Sequence, residues 1–291
     1  MKLLALNFGR VNQQTEHFLN FTLEAAKAEG AEVELIQMLK KDIGRCRGCG
    51  GCSRPFEEGK TDLPMCIFKD DFQEILEKIL DADSIVVAAP VYVLAPPGQL
   101  KDLVDRMSPA CDRAVAGHWQ EKRVVAGEKP VDSRLLKKKY VSFISVGGCP
   151  FHHWVSFGLP GLQLFAFSLN MKVIGQVDIH GAWFGPRREE CEGLCTDLGK
   201  QIMAETGKEY EDVQWYGMPG HCPACHGDIF TVFDGTTTVE CPICGIQGEL
   251  SIEDGEIKVS FTDKMLAHSR MNIGGLEDHF FELHVNPDTK M

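Results

Sequence analysis

The fold is decided by residues 84–106, which read SIVVAAPVYVLAPPGQLKDLVDR. Residues 84–89 form an apolar, β-branched run without polar alternation, which is typical of a strand covered on both faces by helices in a parallel sheet. Pro90 ends the hydrogen-bonding ladder of that strand, and the Pro-Pro-Gly run at 96–98 keeps the chain irregular until helical spacing begins at Leu100. Ligands bind beyond the carboxyl ends of the central strands in such sheets, so we expect this loop to border a planar cofactor.

The composition describes an acidic chain with a sizeable core: 291 residues, 44% hydrophobic, with a formal charge of −12. Such a charge repels nucleic acid and anionic membranes, so we exclude both as main partners. No apolar run approaches the roughly 18 residues of a membrane helix, and the apolar run at 1–6 is shorter than a signal peptide requires. Twelve cysteines in an unexported chain indicate metal or redox chemistry rather than disulfides, and we expect a cytoplasmic protein.

Strand and helix patterns alternate along most of the chain. The predicted strands lie at 2–6, 33–38, 84–89, 140–146 and 172–179. This alternation predicts an α/β domain over residues 1–215, with a doubly wound, five-stranded parallel sheet of flavodoxin type in the order 2-1-3-4-5. Residues 107–139 carry eight Lys or Arg against four Asp or Glu, which predicts an irregular surface segment or one that attracts an anionic substrate. Cys191 and Cys195 fall on the apolar stripe of the last helix, which favours core thiols over a second metal site.

A polar loop at residues 7–15, NFGRVNQQT, connects the first strand to the first helix. The amides of a helix's first turn are unpaired and attract anions, so Arg10, Asn12 and Thr15 could complete a phosphate site there. An ordinary loop with Thr15 as the helix N-cap is the alternative.

Four cysteines follow the second predicted strand, in a loop at 46–66. Cys46, Cys49 and Cys52 are separated by two residues each, with glycines that let the backbone fold tightly, and Cys66 lies further along. This spacing can direct four thiolates at one 4Fe-4S cubane. Four free thiols and a zinc ion are the alternatives.

A second cysteine set lies beyond a linker at 216–220. Two C-P-x-C turns, Cys222 with Cys225 and Cys241 with Cys244, stand 15 residues apart around an Asp-Gly hairpin signal at 234–235. They predict a zinc ribbon over residues 220–262 that is stabilised largely by its metal. Iron in a rubredoxin-like site is the alternative, and we expect residues 263–291 to form a terminal helix on the ribbon or on a neighbouring subunit.

Together with the Lys-Asp-Asp, Gln-Leu-Lys and Asp-Arg motifs at 69–71, 99–101 and 105–106, these motifs resemble the NADPH-dependent FMN reductase family, and within it the iron-sulfur flavoproteins. The likeness covers about residues 1–205, with two departures: Phe8 stands where the family usually has serine, and the spacer before Cys66 is longer. The resemblance implies a set of FMN contacts in three loops. The set is Phe8, Arg10, Asn12, Gln14 and Thr15, then Pro90, Val91, Tyr92 and Val93, then Gly147 and Gly148.

The resemblance implies an FMN-dependent oxidoreductase that takes electrons from NAD(P)H or a ferredoxin-type donor, because FMN accepts hydrides and also passes single electrons to a cluster. Hydride transfer needs no nucleophile or general acid, so we predict no catalytic side chain. Candidates for the substrate side of the flavin are Cys149, His152, His153 and Trp154. We expect a homodimer or homotetramer. The alternatives are a non-catalytic electron-transfer flavoprotein that docks a partner through its ribbon, and a metal-stabilised structural protein without FMN, which the departure at Phe8 suggests.

Overall fold

The structure is a computed structural model of the chain. It describes residues 1–107, 111–182, 188–218 and 220–284. Pro219 of the expected linker and residues 285–291 of the expected tail lie outside these ranges. The strands of the first sheet are β1 (Lys2–Asn7), β2 (Glu32–Gln37), β3 (Ser84–Pro90), β4 (Tyr140–Gly147) and β5 (Lys172–His180). All are parallel, in the order β2-β1-β3-β4-β5, which confirms the predicted flavodoxin-like topology.

Helices cover both faces of this sheet. The helices of the described residues are α1 (Gln14–Ala28), α2 (Ser53–Glu57), α3 (Phe72–Asp81), α4 (Gly98–Met107), α5 (Arg113–Ala126), α6 (Gly158–Phe167), α7 (Arg188–Glu205), α8 (Asp263–Ala267) and α9 (Ile273–His284). Helices α1 and α7 pack on one face, whereas α3, α4 and α6 pack on the other. None of the helices in the described ranges is long and apolar enough to cross a bilayer.

Strand β3 is the centre of the sheet. It pairs with β1 on one side and β4 on the other, and all seven of its residues are buried. Val86 and Ala88 face the core under α1 and α7, while Val87 and Ala89 face the opposite core. Because both faces are covered, the strand needs no polar alternation, as predicted.

The prediction of an irregular segment at 107–139 is wrong in its central part, because the chain forms helix α5 there. Asp112 caps the helix by accepting hydrogen bonds from the N–H of Ala114 (2.7 Å) and Val115 (3.3 Å), and Gly127 ends it in a left-handed conformation. Arg123, on its buried side, donates to the Phe56 carbonyl. Arg123 occupies a buried position of α5 at which an amphipathic helix usually has an apolar residue. The apolar periodicity that predicts a helix is therefore weak in this part of the sequence.

A four-stranded antiparallel sheet forms the C-terminal unit. Its strands are β6 (Thr231–Val232), β7 (Thr238–Glu240), β8 (Gln247–Glu253) and β9 (Glu256–Ser260). The hairpin predicted at Asp234-Gly235 is confirmed, because β6 and β7 pair across it. Helix α9 lies in the tail and packs on α5 of the α/β unit, where the rings of His118 and Phe280 lie 4.6 Å apart.

The contact between α1 and α7 supports the helix that begins beside the first loop. The Thr22 hydroxyl donates to the Cys195 carbonyl (2.8 Å), and Cys195 is a buried core thiol, as predicted. Burial raises the pKa of this thiol to about 12. Gly199 has no room for a side chain, since a Cβ there would press on the Thr22 carbonyl and lie 2.8 Å from the Ala25 Cβ.

We predict that Gly199→Ala destabilises the protein by about 1–3 kcal/mol, because overpacking forces α1 and α7 apart. Gly193→Ala is the matched control on the same helix, since no neighbouring atom of the described residues lies within 4 Å of the position that a methyl group would take there. The control should leave stability unchanged or raise it by up to about 1 kcal/mol. Urea unfolding followed by circular dichroism measures both; equal midpoints for the two variants would contradict the packing argument.

Candidate active site and metal centres

A cavity of about 200 Å³ lies at the carboxyl edge of the sheet, where β1, β3 and β4 end. Three loops meet around it, which is the convergence that the sequence predicts for the cofactor. Its lining residues are Arg10, Gln13, Gln14, Thr15, Pro90, Val91, Tyr92, Val146, Gly148 and Ala182. Of these, Gln13, Val146 and Ala182 were not predicted, because strand ends and small side chains carry no specific sequence signal.

The first loop presents an anion site to the cavity. Helix α1 begins at Gln14, and its cap residue Gln13 makes no side-chain hydrogen bond to the first turn. The first-turn amides therefore remain available to an anion, and the helix dipole favours negative charge there. Thr15 lies within the helix and lines the cavity, so the alternative assignment of Thr15 as N-cap is wrong.

A network of side chains beneath the loop fixes its shape. The Asn7 carboxamide accepts from the Gly9 N–H (2.9 Å) and donates to Gln37 (2.7 Å). The Glu16 carboxylate accepts from the side chain of Gln37 and from the N–H of Asn12. Asn12, which the sequence predicts as an FMN contact, has a left-handed φ of 58° and is not among the residues that line the cavity.

Phe8 is placed differently from the other predicted contacts in this loop. Its side chain is 0% exposed and packs in the core, while its N–H donates to the Ala88 carbonyl of β3 (2.8 Å). Only the main chain of Phe8 is therefore near the first loop's anion site.

The loop after β3 contains a strained turn. Tyr92 and Ala95 exchange backbone hydrogen bonds of 2.8 and 3.3 Å across Val93 and Leu94, which both have positive φ. This conformation favours Asn-Gly and is costly for bulky or β-branched residues. Pro90, Val91 and Tyr92 line the cavity, whereas Val93 is 96% exposed beyond it.

The loop after β4 completes the cavity's rim. Gly148 lines the cavity, and Gly147 beside it leaves room for the Val155 side chain, which would lie 2.5 Å from a Cβ. Aromatic side chains on this loop and on the Tyr92 turn remain exposed to solvent. They are Tyr92 at 51%, Phe151 at 62%, Trp154 at 60% and Phe157 at 48%. The Phe157 N–H donates to the Leu94 carbonyl (3.0 Å), so the two loops are joined.

Two further polar groups border this edge. His180 at the end of β5 contacts the Asp178 carboxylate (2.8 Å), and its ring lies 6.0 Å from that of His152. In the sheet, His180 pairs with Gly147. The sequence analysis assigned a role to His152 but not to His180, whose pairing with Asp178 follows from the i, i+2 alternation of a strand.

Arg188 was also missed. It begins α7 and donates to the Gln14 side chain (3.0 Å) and to Glu192 (3.1 Å), which brings a second cation beside the first loop. An Arg-Arg pair at 187–188, separated by six residues from the end of the fifth strand at His180, is the sequence signal for it.

The first cysteine set lies in one pocket of about 210 Å³. Its lining includes all four predicted residues, Cys46, Cys49, Cys52 and Cys66, together with Arg106. Burial is the main reason that the pKa of Cys52 lies above its ordinary value. Burial also lowers the pKa of Arg106, but the neighbouring Asp70 and Cys66 raise it on balance.

The second cysteine set forms a compact centre. Cys222 lies 3.4 Å from Cys244 and Cys225 lies 3.4 Å from Cys241, measured between sulfurs, and all four are buried. Among the residues described, these alone form a group of three or more potential ligands within 4.8 Å of one another. Tetrahedral coordination at a metal–sulfur distance of about 2.3 Å needs sulfurs about 3.8 Å apart, so the four can bind one metal ion.

Buried glutamines join this centre to the α/β unit. The Gln163 amide on α6 donates to the Cys225 carbonyl (2.7 Å) and to the Gln176 side chain on β5 (3.0 Å). Gln176 in turn donates to the His226 carbonyl (3.3 Å). The segment predicted as a linker is also bound to the α/β unit, since Tyr216 forms backbone hydrogen bonds with Ile174 and Gln176 at the sheet edge.

The fold is flavodoxin-like, and the cavity lies at the carboxyl edge of the sheet, where such folds bind their ligands. A sequence model described as NADPH-dependent FMN reductase matches residues 1–181. The chain belongs to this family, and the family implies FMN as cofactor and a nicotinamide as electron donor.

The similar proteins fall into two groups, one with flavone-related names and one of iron-sulfur flavoproteins. The chain is similar to flavone synthase cfoJ of Aspergillus candidus, with 27% identity over 97% of this chain and 88% of that protein. A solved structure of a flavone reductase has a TM-score of 0.81 and 28% identity, over 99% of this chain and 90% of that one. An iron-sulfur flavoprotein of Methanosarcina thermophila is 38% identical, over only 33% of this chain and 47% of that protein.

We predict that Arg10→Gln weakens FMN binding about tenfold, because an exposed charge-assisted contact to the phosphate is lost. Binding of riboflavin, which lacks the phosphate, should not change. Quenching of flavin fluorescence measures both affinities. Lys27→Gln, at the opposite end of α1, is the control and should bind FMN normally; an equal loss of FMN and riboflavin affinity in Arg10→Gln would contradict a phosphate contact.

Proposed function

We propose that this protein is an FMN-dependent oxidoreductase that uses NAD(P)H to reduce a planar, conjugated aromatic ketone of the flavone type. The observation that carries the proposal is a set of exposed aromatic side chains on the two loops that border the cavity, which we call the aromatic rim: Tyr92, which lines the cavity, and Phe151, Trp154 and Phe157 on the loop after β4. Large exposed aromatic side chains that gather at a pocket favour flat aromatic ligands. The names of two relatives that match nearly the whole chain, a flavone synthase and a flavone reductase, support a flavone as the compound bound at this site, and the reductase name supports its role as acceptor.

The residues around the cavity fit FMN. The open first turn of α1, with Arg10 and Arg188 beside it, suits the phosphate, and the Pro90–Val91–Tyr92 segment provides a wall for the ring. FMN supplies hydride acceptance from a nicotinamide and donation to an acceptor. The strained turn at Val93 and Leu94 holds Tyr92 and Val93 at the mouth, where the acceptor enters.

Reduction of a conjugated double bond consumes one hydride and one proton. The hydride comes from NAD(P)H, and two hydrogens are added across the double bond in total. We assign that proton to His180, because its ring contacts the Asp178 carboxylate at 2.8 Å and Gly147 of the cavity rim is its neighbour in the sheet. This role differs from the sequence prediction that no catalytic side chain is needed.

The cysteine pocket fits a 4Fe-4S cluster. Cys46, Cys49, Cys52 and Cys66 line one pocket, yet their sulfurs are not gathered as closely as those of a single-ion site. A cubane spreads its four ligands more widely than one tetrahedral ion does, so the pocket suits the cluster better than zinc. Such a cluster carries single electrons, which gives a ferredoxin-type donor a route into the protein.

The buried Cys222, Cys225, Cys241 and Cys244 centre suits a structural zinc ion, with iron as the competing occupant. The unit boundaries follow from this division, with an α/β unit at 1–215, a metal unit at 220–262 and a tail from 263. A cytoplasmic location and a homodimer or homotetramer complete the proposal.

We predict that Trp154→Ala raises the KM for a flavone about three- to tenfold, because an aromatic contact worth about 0.5–1.5 kcal/mol is lost. NAD(P)H oxidation with ferricyanide as acceptor should stay at the wild-type rate. Anaerobic assays with NADH and NADPH, followed by product identification, test both statements.

Phe233→Ala is the control, because Phe233 is an exposed aromatic residue on the C-terminal unit. It should leave both activities unchanged. Flavin that is bleached by ferredoxin or dithionite but not by NADH or NADPH would contradict the proposed enzyme and favour the electron carrier.

We predict that Cys49→Ser removes iron and acid-labile sulfide but leaves FMN and the ribbon metal in place. Cys241→Ser should do the opposite, since the two cysteine sets line separate sites. Metal analysis and the visible spectrum of anaerobically purified protein measure all three components. Loss of every component in Cys49→Ser would show that the two sets are not independent.

A further inference from the structure

Arg106, near the end of α4, is the most deeply buried cation at the cysteine pocket. It is 3% exposed, and its guanidinium carbon lies 4.3 Å from the centre of the Phe72 ring. Nη1 donates to the Asp70 carboxylate and to the Gly44 carbonyl (3.1 Å). These contacts fix the plane and the position of the guanidinium group.

The other two nitrogens of Arg106 have no such partner. Nε and Nη2 are buried and make no hydrogen bond of normal geometry with any residue that the structure describes, although Cys66 lies close enough to raise the pKa of Arg106. A buried donor without an acceptor has lost the hydrogen bond that water would give it, and the cost is larger when the donor carries charge. Folded proteins rarely retain that cost without a ligand to relieve it.

The position of Arg106 indicates what the acceptor is. Arg106 lines the pocket that also contains Cys46, Cys49, Cys52 and Cys66. Sulfur atoms of an iron-sulfur cluster accept hydrogen bonds, and these bonds are one of the factors that set its reduction potential. Arg47 also lines the pocket, but it is exposed and stacks on Phe68 at 4.6 Å.

We propose that Arg106 is a positioning residue that donates hydrogen bonds from Nε and Nη2 to a thiolate or sulfide of the bound cluster and raises its reduction potential. This inference rests on the proposed function, in which the cysteine pocket holds the cluster. Reduction adds one electron to the cluster and no proton. A buried cation with two directed donors therefore stabilises the reduced form more than the oxidised form.

The test is the midpoint potential of the cluster in the anaerobically purified holoprotein, measured by dye-mediated titration with electron paramagnetic resonance. Arg106→Gln should lower the equilibrium constant for cluster reduction at least tenfold, which is about 59 mV for one electron. Arg106→Lys keeps the charge but loses the planar pair of donors, and its midpoint should fall between the two. Iron–sulfur stretching frequencies in resonance Raman spectra should shift in both variants.

Arg54→Gln is the matched control. Arg54 is an exposed cation on the same loop and does not line the pocket. Because solvent screens it, its replacement should change the equilibrium constant less than twofold.

The outcomes distinguish the presence of the cluster from the role of Arg106. Wild-type protein without iron and acid-labile sulfide would refute the cluster itself. Arg106→Gln with normal iron and FMN but an unchanged midpoint and Raman spectrum would overturn the role of Arg106 alone. If Arg106→Gln does not fold, Arg106→Lys decides, and a midpoint equal to that of the wild type overturns the inference.

Discussion

Parallel hydrogen bonding of β3 to β1 on one side and to β4 on the other is the constraint on which the site depends. Asn7 pairs with Ala88 and Pro90 pairs with Val146, so the three strands end at one level. The loops that follow them must then meet at one edge of the sheet. The anion site of the first loop, the Tyr92 turn and the aromatic rim converge for this reason, although they are far apart in sequence.

Helix α4 transmits that arrangement to the cysteine pocket. It begins directly after the Tyr92 loop, where the Gln99 side chain donates to the carbonyls of Met38 (2.7 Å) and Lys41 (3.1 Å). Eight residues after Gly98, or about 12 Å along the helix, Arg106 reaches the cysteines. Helix α4 therefore contacts the start of the cysteine loop at one end and lines the cysteine pocket at the other, so the cavity and the cysteine pocket keep a fixed separation.

The features of this fold that can be predicted from the sequence are those that depend on the local pattern of residue types. The five strands, their order and both cysteine sets follow from apolar runs and spacing, and the structure contains them. Helix α5 could not be predicted because Arg123 interrupts its apolar stripe. The side chain of Val93 is exposed because of the positive φ values in its turn, and the side chain of Phe8 is buried because it packs in the core. Neither position follows from the pattern of residue types. Arg106 lies in a motif that the sequence analysis quoted, but its unpaired nitrogens emerge only once Asp70 and Gly44 are seen to occupy Nη1.

The metal centre of the C-terminal unit bears on the active site through β5. Gln163 and Gln176 donate to carbonyls of the first cysteine turn, and both amides are buried. If the metal left and this turn opened, their donors would lose acceptors that water cannot replace without entering the core, at about 1–3 kcal/mol each. Gln176 lies on the same strand as Asp178 and His180, so the opening would loosen the strand that carries both residues. An ion bound by the four cysteines would therefore stabilise β5 at the edge of the sheet.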